Sequence, residues 1–157
     1  MMKRILLTIT ALLMLTAFTN AQDYNTAIGL RGGLYNGFTI KHFIGEKAAL
    51  EGIAETRWRG FNVTGLYEIH NQAFDVEGLN WYWGFGAHLG FWDGTNVTWI
   101  DDNNAYTLIG VDGIIGMEFN FPTVPINVSV DYKPAMNLIG YTGFWGDGGA
   151  ASIRYYF

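Results

Sequence analysis

The C-terminal residues of the chain alternate between two kinds of side chain. Apolar side chains occupy every second position from Ala151 to Phe157, and polar ones (Ser152, Arg154, Tyr156) lie between them. Alternation with a period of two places the two sets on opposite faces of a β-strand. A soluble barrel hides its apolar face inside, whereas a barrel in a membrane turns it outward to lipid. Because the segment ends on an aromatic residue, the pattern predicts a lipid-facing strand.

The same alternation recurs along the chain, with turn residues such as Asn36-Gly37 and the 121–125 segment between the repeats. Eight segments have the length of about 9 to 11 residues that a tilted strand needs to cross a bilayer. They are 24–35, 37–45, 48–58, 61–70, 79–93, 105–121, 126–138 and 148–157. The pattern therefore predicts an all-β fold, an eight-stranded antiparallel up-and-down transmembrane β-barrel.

The N-terminus has the features of a secretory signal peptide. Lys3 and Arg4 precede an apolar run over 5–18, and the small residues Thr19 and Ala21 end the segment. A membrane anchor would need about 20 apolar residues, and this run is shorter. We therefore predict a signal peptide over residues 1–21 and a barrel domain over 22–157.

Composition excludes several classes of function. The chain has no cysteine, which rules out thiol catalysis, disulfides and cysteine metal sites. Removal of residues 1–21 leaves a net charge of −7 and no cluster of lysines and arginines, so no nucleic-acid partner is expected. No later segment approaches an apolar run of 18 residues, which disfavours a helical membrane protein.

An even number of strands places both chain ends on the periplasmic side of such a barrel. The segments after the first, third, fifth and seventh strands are then external, and two of them, 93–104 and 137–147, are long. We expect strands five and six to project as a ribbon, and these two loops to be the regions that contact an extracellular protein or surface ligand. One expected periplasmic turn, 71–78, is longer than is usual there.

Polarity distinguishes two forms of the first turn. A two-residue loop at Asn36-Gly37 would place Arg31 on the same face as the apolar Phe38. A three-residue loop with Gly37 in the left-handed conformation pairs Leu34 with Phe38 and keeps Arg31 inside, and it is therefore preferred.

The predicted inward faces carry charged residues of both signs. Five are positive and six are negative, and eight strands leave a lumen only wide enough for side chains. These residues are Arg31, Lys41, Glu51, Glu55, Arg57, Glu68, Asp112, Glu118, Asp131, Lys133 and Arg154. Charges removed from water must be paired, so we expect a lumen plugged by ion pairs, Asp112 with Lys133 among them. A conducting polar channel is the alternative.

Candidate catalytic and metal-binding residues give weaker patterns. His42 is expected to face lipid near a periplasmic turn, His70 to lie near the same end, and His88 and Ser129 to point into the lumen. A general base must reach its nucleophile within hydrogen-bond distance, and this placement predicts no catalysis. The acidic residues of 93–104 could offer oxygen ligands to Ca²⁺, but their spacing matches no EF-hand. No cofactor and no metal site is predicted.

Aromatic residues concentrate at the ends of the segments, where interfacial belts are expected. The outer belt would comprise Trp58, Phe61, Phe91 and Tyr106, and the inner belt Tyr24, Trp81, Phe119, Phe121, Tyr155 and Phe157. The expected partners of these belts are outer-membrane lipids.

Taken over the whole mature chain, these features resemble the small eight-stranded outer-membrane barrels of the OmpA/OmpX type, in their stand-alone form without a periplasmic domain. The terminal Ile153, Tyr155 and Phe157 look like the assembly signal that the barrel-insertion machinery reads. The resemblance implies a bacterial outer-membrane location and a non-enzymatic structural or surface-interaction role. A small ion-conducting pore and, as a third class, a lipid A-modifying enzyme are the alternatives.

Overall fold

The computed structural model describes residues 25–57, 60–93 and 104–157. These ranges contain ten β-strands. They are β1 (Thr26–Gly33), β2 (Asn36–Phe43), β3 (Ala48–Arg57), β4 (Gly60–Gln72), β5 (Leu79–Asp93), β6 (Ala105–Asn120), β7 (Ile126–Tyr132), β8 (Ala135–Ile139), β9 (Gly143–Trp145) and β10 (Gly149–Tyr156). In these three ranges no helix is long and apolar enough to span a membrane. The proposed signal peptide, residues 1–21, lies outside the described ranges.

The sheet closes on itself as an antiparallel barrel. From β1 to β7 each strand pairs with the next, and β10 pairs with both β7 and β1. The shorter β8 pairs with β6 beyond the end of β7, so β7 and β8 together form the seventh strand of the barrel. The short β9 pairs with β8 and precedes β10 in the chain. The predicted all-β, eight-stranded up-and-down barrel is therefore confirmed.

The predicted seventh strand is broken, and a short strand, β9, precedes the eighth within the predicted loop 137–147. The break lies at Lys133-Pro134, where proline has no N–H to donate to a neighbouring strand. The chain bridges it with hydrogen bonds from Gly113 N to Pro134 O (2.9 Å) and from Lys133 N to Gly148 O (3.0 Å). The single segment predicted over 126–138 is thus two strands, and Gly143–Trp145 is an additional one.

β5 pairs with β6 along its whole length. These are the longest strands, and they remain paired up to Asp93 and Ala105. The 71–78 segment contains a turn between β4 and β5 in which Phe74 and Asp75 both have positive φ angles, 52° and 54°. The other predicted segments agree with the observed strands to within about two residues at most ends.

The predicted register of the first hairpin is wrong. Leu30, rather than Leu34, pairs with Phe38, and Gly37 lies within β2. The turn is displaced toward the N-terminus because the Asn36 side chain accepts a hydrogen bond from Gly33 N and the Tyr35 side chain is buried. The displacement is an even number of residues, so Arg31 still points inward, as the polarity argument required.

The two faces of the wall differ in polarity throughout the described residues. Large apolar side chains are exposed on the outside, among them Val130 (61%) and Ile115 (55%), while charged side chains are buried inside. Of the predicted belts, Phe61, Phe91, Trp81, Phe121, Tyr155 and Phe157 are exposed. Tyr24 and Trp58 lie outside the described ranges. An apolar outside around a polar inside is the polarity of a barrel that lipid surrounds.

Ile115 and Thr107 provide a test of the position of the apolar belt because both lie on the outer face of β6 at different depths. An arginine in place of Ile115, near the middle of the apolar belt, is expected to cost about 2 to 4 kcal/mol of insertion free energy, and Thr107→Arg at its edge about 0 to 1. Folding into lipid vesicles, followed by gel mobility with and without heating, measures both. Equal defects in the two variants would contradict the assigned depth.

Candidate functional site

The barrel interior holds all eleven charged residues singled out above. Ten of them are buried, and Arg57 is half-buried at one mouth. They form two layers. The inner layer lies toward the turns at 44–47, 73–78 and 121–125 and comprises Lys41, Glu51, Glu68, Glu118 and Arg154. The outer layer lies toward the long loops and comprises Arg31, Glu55, Asp112, Asp131 and Lys133.

Lys41 is the centre of the inner layer. Its side chain is fully buried, and its Nζ lies 2.9 Å from Glu68, 3.4 Å from Glu51 and 3.4 Å from Glu118. These three carboxylates come from β3, β4 and β6, so the ammonium group of Lys41 connects those three strands to β2.

Arg154 is the second cation of the inner layer. Its guanidinium lies 2.5 Å from Glu51 and donates to Ser129 Oγ at 2.8 Å and to Asn127 Oδ1 at 3.0 Å. Thr39 donates a short hydrogen bond to the same Glu51 carboxylate. Glu51 therefore receives charge and hydrogen bonds from β2 and β10.

The outer layer is built around Arg31 and Lys133. The Arg31 guanidinium makes a bidentate contact with the Asp131 carboxylate, at 2.6 and 2.5 Å, and its Nε lies 3.6 Å from Glu55. Lys133 Nζ lies 3.0 Å from Glu55 and 3.2 Å from Asp112. Asp112 and Lys133, which the sequence placed on neighbouring strands, thus form an ion pair. Bidentate arginine–carboxylate contacts are among the strongest hydrogen-bonded pairs.

Three inward residues contribute to these layers although they were not among the charged set. His70 lies between Glu68 (3.0 Å) and Glu118 (3.2 Å), and His88 lies 2.6 Å from Asp112. Tyr82 connects the two layers, since Lys41 Nζ lies 4.1 Å from its ring centre and its hydroxyl donates to Asp131 at 3.2 Å. The alternation along β5 indicated that Tyr82 and His88 point inward. Their part in the two layers was missed because only residues with a formal charge were counted.

The mouth at the loop end is covered by residues from two loops. Arg57 lies 2.6 Å from Asp147, and its guanidinium lies over the Tyr35 ring at 4.7 Å. Trp145 stacks against Tyr35 and meets Trp92 edge-on at 5.3 Å. Burial raises the pKa of the Tyr35 phenol to about 12. The recess beneath these residues has room for about one water molecule.

Among the described residues, the arrangement of hydroxyls and imidazoles does not resemble a catalytic triad. Ser129 accepts from Arg154, and His88 contacts Asp112 and Asn137. On the outer surface Thr26 Oγ1 lies 2.8 Å from His42 Nδ1, and the contacts observed in the described ranges include no carboxylate that orients this imidazole. Within the same ranges no group of three or more histidine, aspartate or glutamate side chains is arranged to hold a metal ion. Asp101 and Asp102 lie outside them.

Comparison with known proteins gives a structural likeness only. No protein-family model and no curated protein matches the sequence. The N-terminal β-barrel domain of Pseudomonas aeruginosa OprF is similar in structure, with a TM-score of 0.70 and 17% identity over 87% of this chain and 100% of that chain. At this identity the likeness concerns the fold. The chain therefore has the fold of the small eight-stranded barrels of the OmpA type.

Proposed function

We propose that the protein is a non-enzymatic integral protein of the bacterial outer membrane. In this proposal the barrel is a stable platform with a plugged polar lumen, and its longer external loops contact the surroundings. The observation that carries the proposal is the opposite polarity of the two faces. Exposed apolar side chains cover the outside, and buried charges of both signs lie within ion-pair distance of one another inside.

The density of ion pairs supports a closed lumen. Every positive side chain of the inner and outer layers has at least one carboxylate within 3.2 Å. Removing one partner of a buried pair costs several kcal/mol, so an ion that entered would have to displace contacts that are expensive to lose. The small recess at the loop end also argues against a wide aqueous passage.

The proposed location rests on the fold and on the two ends of the sequence. The OmpA-type barrel fold is that of outer-membrane proteins, and the N-terminal segment 1–21 has the composition of an export signal. The alternating C-terminal strand β10 ends with Tyr155 and Tyr156, and Phe157 follows it. Lipids, and during assembly the barrel-insertion machinery, are the proposed partners, with no role for nucleic acid.

The loops 93–104 and 137–147 are the proposed contact regions for an extracellular protein or surface ligand. The first joins β5 to β6, the two longest of the described strands. The second contains β9 and the mouth residues Trp145 and Asp147. No cofactor is proposed for either.

A small ion-conducting pore is the second candidate, and one observation favours it. Several buried polar atoms have no protein partner, including Glu68 Oε1, Asn62 Oδ1 and Ser152 Oγ. Buried polar groups usually find a partner, and water supplies it where protein does not. Such waters would hydrate the lumen. A lipid-modifying enzyme is the third candidate, and the lack of an oriented nucleophile in the described residues disfavours it.

Fractionation and conductance together test the proposal. We expect a barrel whose gel mobility changes on heating, found in the outer-membrane fraction, which gives no steady conductance in a planar lipid bilayer. A steady open conductance in the unaltered protein would instead establish the pore. Mass spectrometry of lipid A from cells with and without the protein addresses the enzyme, and identical spectra are expected.

A further inference from the structure

The hairpin of β8 and β9 carries no charge along its whole length. Residues 134–146 include no aspartate, glutamate, lysine, arginine or histidine. The other long loop, 93–104, contains three aspartates. A water-exposed loop commonly carries charged and polar residues, so the composition of the hairpin calls for a different environment.

Its exposed side chains are large and apolar. Phe144 is 68% exposed and Ile139 is 60% exposed, and the side chains of Met136 and Leu138 are also exposed. Trp145, in contrast, turns inward against Tyr35 and Trp92. The alternation of the barrel wall therefore continues into the hairpin, with an apolar outer face and an inner face that covers the lumen.

Strand pairing places this outer face at the edge of the apolar belt. Along β6 the rise from Phe119 to Ile109 is about 26 Å for a strand tilted by about 40°, close to the belt height of about 25 Å. Ile109 pairs with Ile139, and Val111 pairs with Met136, whose partner on β9 is Phe144. The hairpin is thus continuous with lipid-facing residues of the wall.

The position of β9 at the end of the strand order limits how deep the hairpin can lie. Among the described strands β9 pairs only with β8, and open sheet edges do not occur in the hydrocarbon region. Headgroup depth provides water for that edge and apolar surroundings for the side chains. Aromatic rings favour this depth as well.

We propose that the outer face of the β8–β9 hairpin contacts lipid at the boundary between headgroups and acyl chains of the outer leaflet. The proposal rests on the membrane-spanning barrel proposed above and refines it, because it assigns one of the two long loops to lipid. Contact with an extracellular partner then falls to the 93–104 loop and its ribbon. A bulge at Leu138, where the register between β6 and β8 shifts by one residue, adds a further apolar side chain to the lipid-facing surface.

Spin labels test the proposal directly, because the chain has no cysteine of its own. Phe144→Cys and Ile139→Cys are labelled in the hairpin, Val130→Cys in the wall, and Glu46→Cys in the opposite turn. Each variant is folded into dioleoylphosphatidylcholine vesicles, with folding checked by the change in gel mobility on heating. Collision rates with oxygen, which concentrates in lipid, and with a water-soluble nickel chelate are then compared.

The expected ratio of oxygen to nickel accessibility is highest at Val130, next at the two hairpin sites, and lowest at Glu46. Hairpin ratios equal to that at Glu46, with Val130 still protected from nickel, would overturn the lipid contact and leave the barrel intact. Nickel access at Val130 itself would overturn the membrane-spanning barrel on which the inference rests. Two hairpin sites are used so that a folding failure in one variant leaves the other to decide.

Discussion

Lys41→Met is expected to destabilise the barrel by at least about 3 to 5 kcal/mol, the cost of leaving a buried charge without its partner. The substitution removes the ammonium group that lies within 3.4 Å of Glu51, Glu68 and Glu118. Arg154 then remains in contact with Glu51, and His70 with Glu68 and Glu118. Urea unfolding in lipid vesicles measures the loss.

Lys47→Met is the matched control. Lys47 lies in the exposed turn between β2 and β3, so the same chemical change there should alter the free energy of unfolding by less than about 0.5 kcal/mol. Adding Glu68→Gln to Lys41→Met should recover part of the loss, because one unpaired charge disappears with it. Equal stability of Lys41→Met and the unaltered protein would mean that water already solvates the inner layer. The lumen would then be hydrated, in favour of a pore.

The architecture was accessible from sequence because the side-chain period of a strand is two. A barrel in lipid must satisfy that period on every strand, so Val130 and Ser129 are assigned to opposite faces by parity alone. The same parity placed Arg31, Lys133 and Arg154 inside. Burial of these charges therefore follows from a local pattern and needs no knowledge of their partners.

Partners across the lumen were not accessible in this way. Arg31 and Asp131 are a hundred positions apart, and their contact depends on the strand stagger and on the closure of β10 with β1. Partners on neighbouring strands are easier to predict, and Asp112 and Lys133 could be placed together by counting residues from one turn. The three carboxylates around Lys41 come from three different strands, and the sequence alone could not assign them to it.

Turn geometry was the weakest part of the prediction, for a physical reason. Asn36-Gly37 has the composition of a tight hairpin loop, but burial of the Tyr35 ring beneath Arg57 displaced the turn. A tertiary contact thus outweighed a local preference. The break at Lys133-Pro134 had a local signal, since proline cannot donate to the ladder, and the long alternation around it concealed that signal.

Replacing both Tyr155 and Phe157 with serine is expected to leave export intact and to prevent most of the protein from entering the outer membrane. Tyr155 and Phe157 are exposed on the outer face at the turn end, where Tyr155 is 37% and Phe157 52% exposed. Because these side chains lie on the outer face and not in the lumen, their proposed role is recognition by the insertion machinery. The protein should accumulate in the periplasm or be degraded, as fractionation and immunoblotting would show.

Folding without the machinery separates recognition from stability. In lipid vesicles the Tyr155→Ser, Phe157→Ser protein should still form a heat-modifiable barrel, because β10 retains its pairing with β1 and β7 and the Arg154–Glu51 ion pair. Tyr156→Phe is the control, since it keeps an aromatic ring and removes the hydroxyl that donates to the Phe121 and Val124 carbonyls. It should insert normally in cells. Normal insertion of the double-serine protein would exclude the terminal aromatics as the assembly signal, whereas failure in vesicles as well as in cells would assign them to barrel stability.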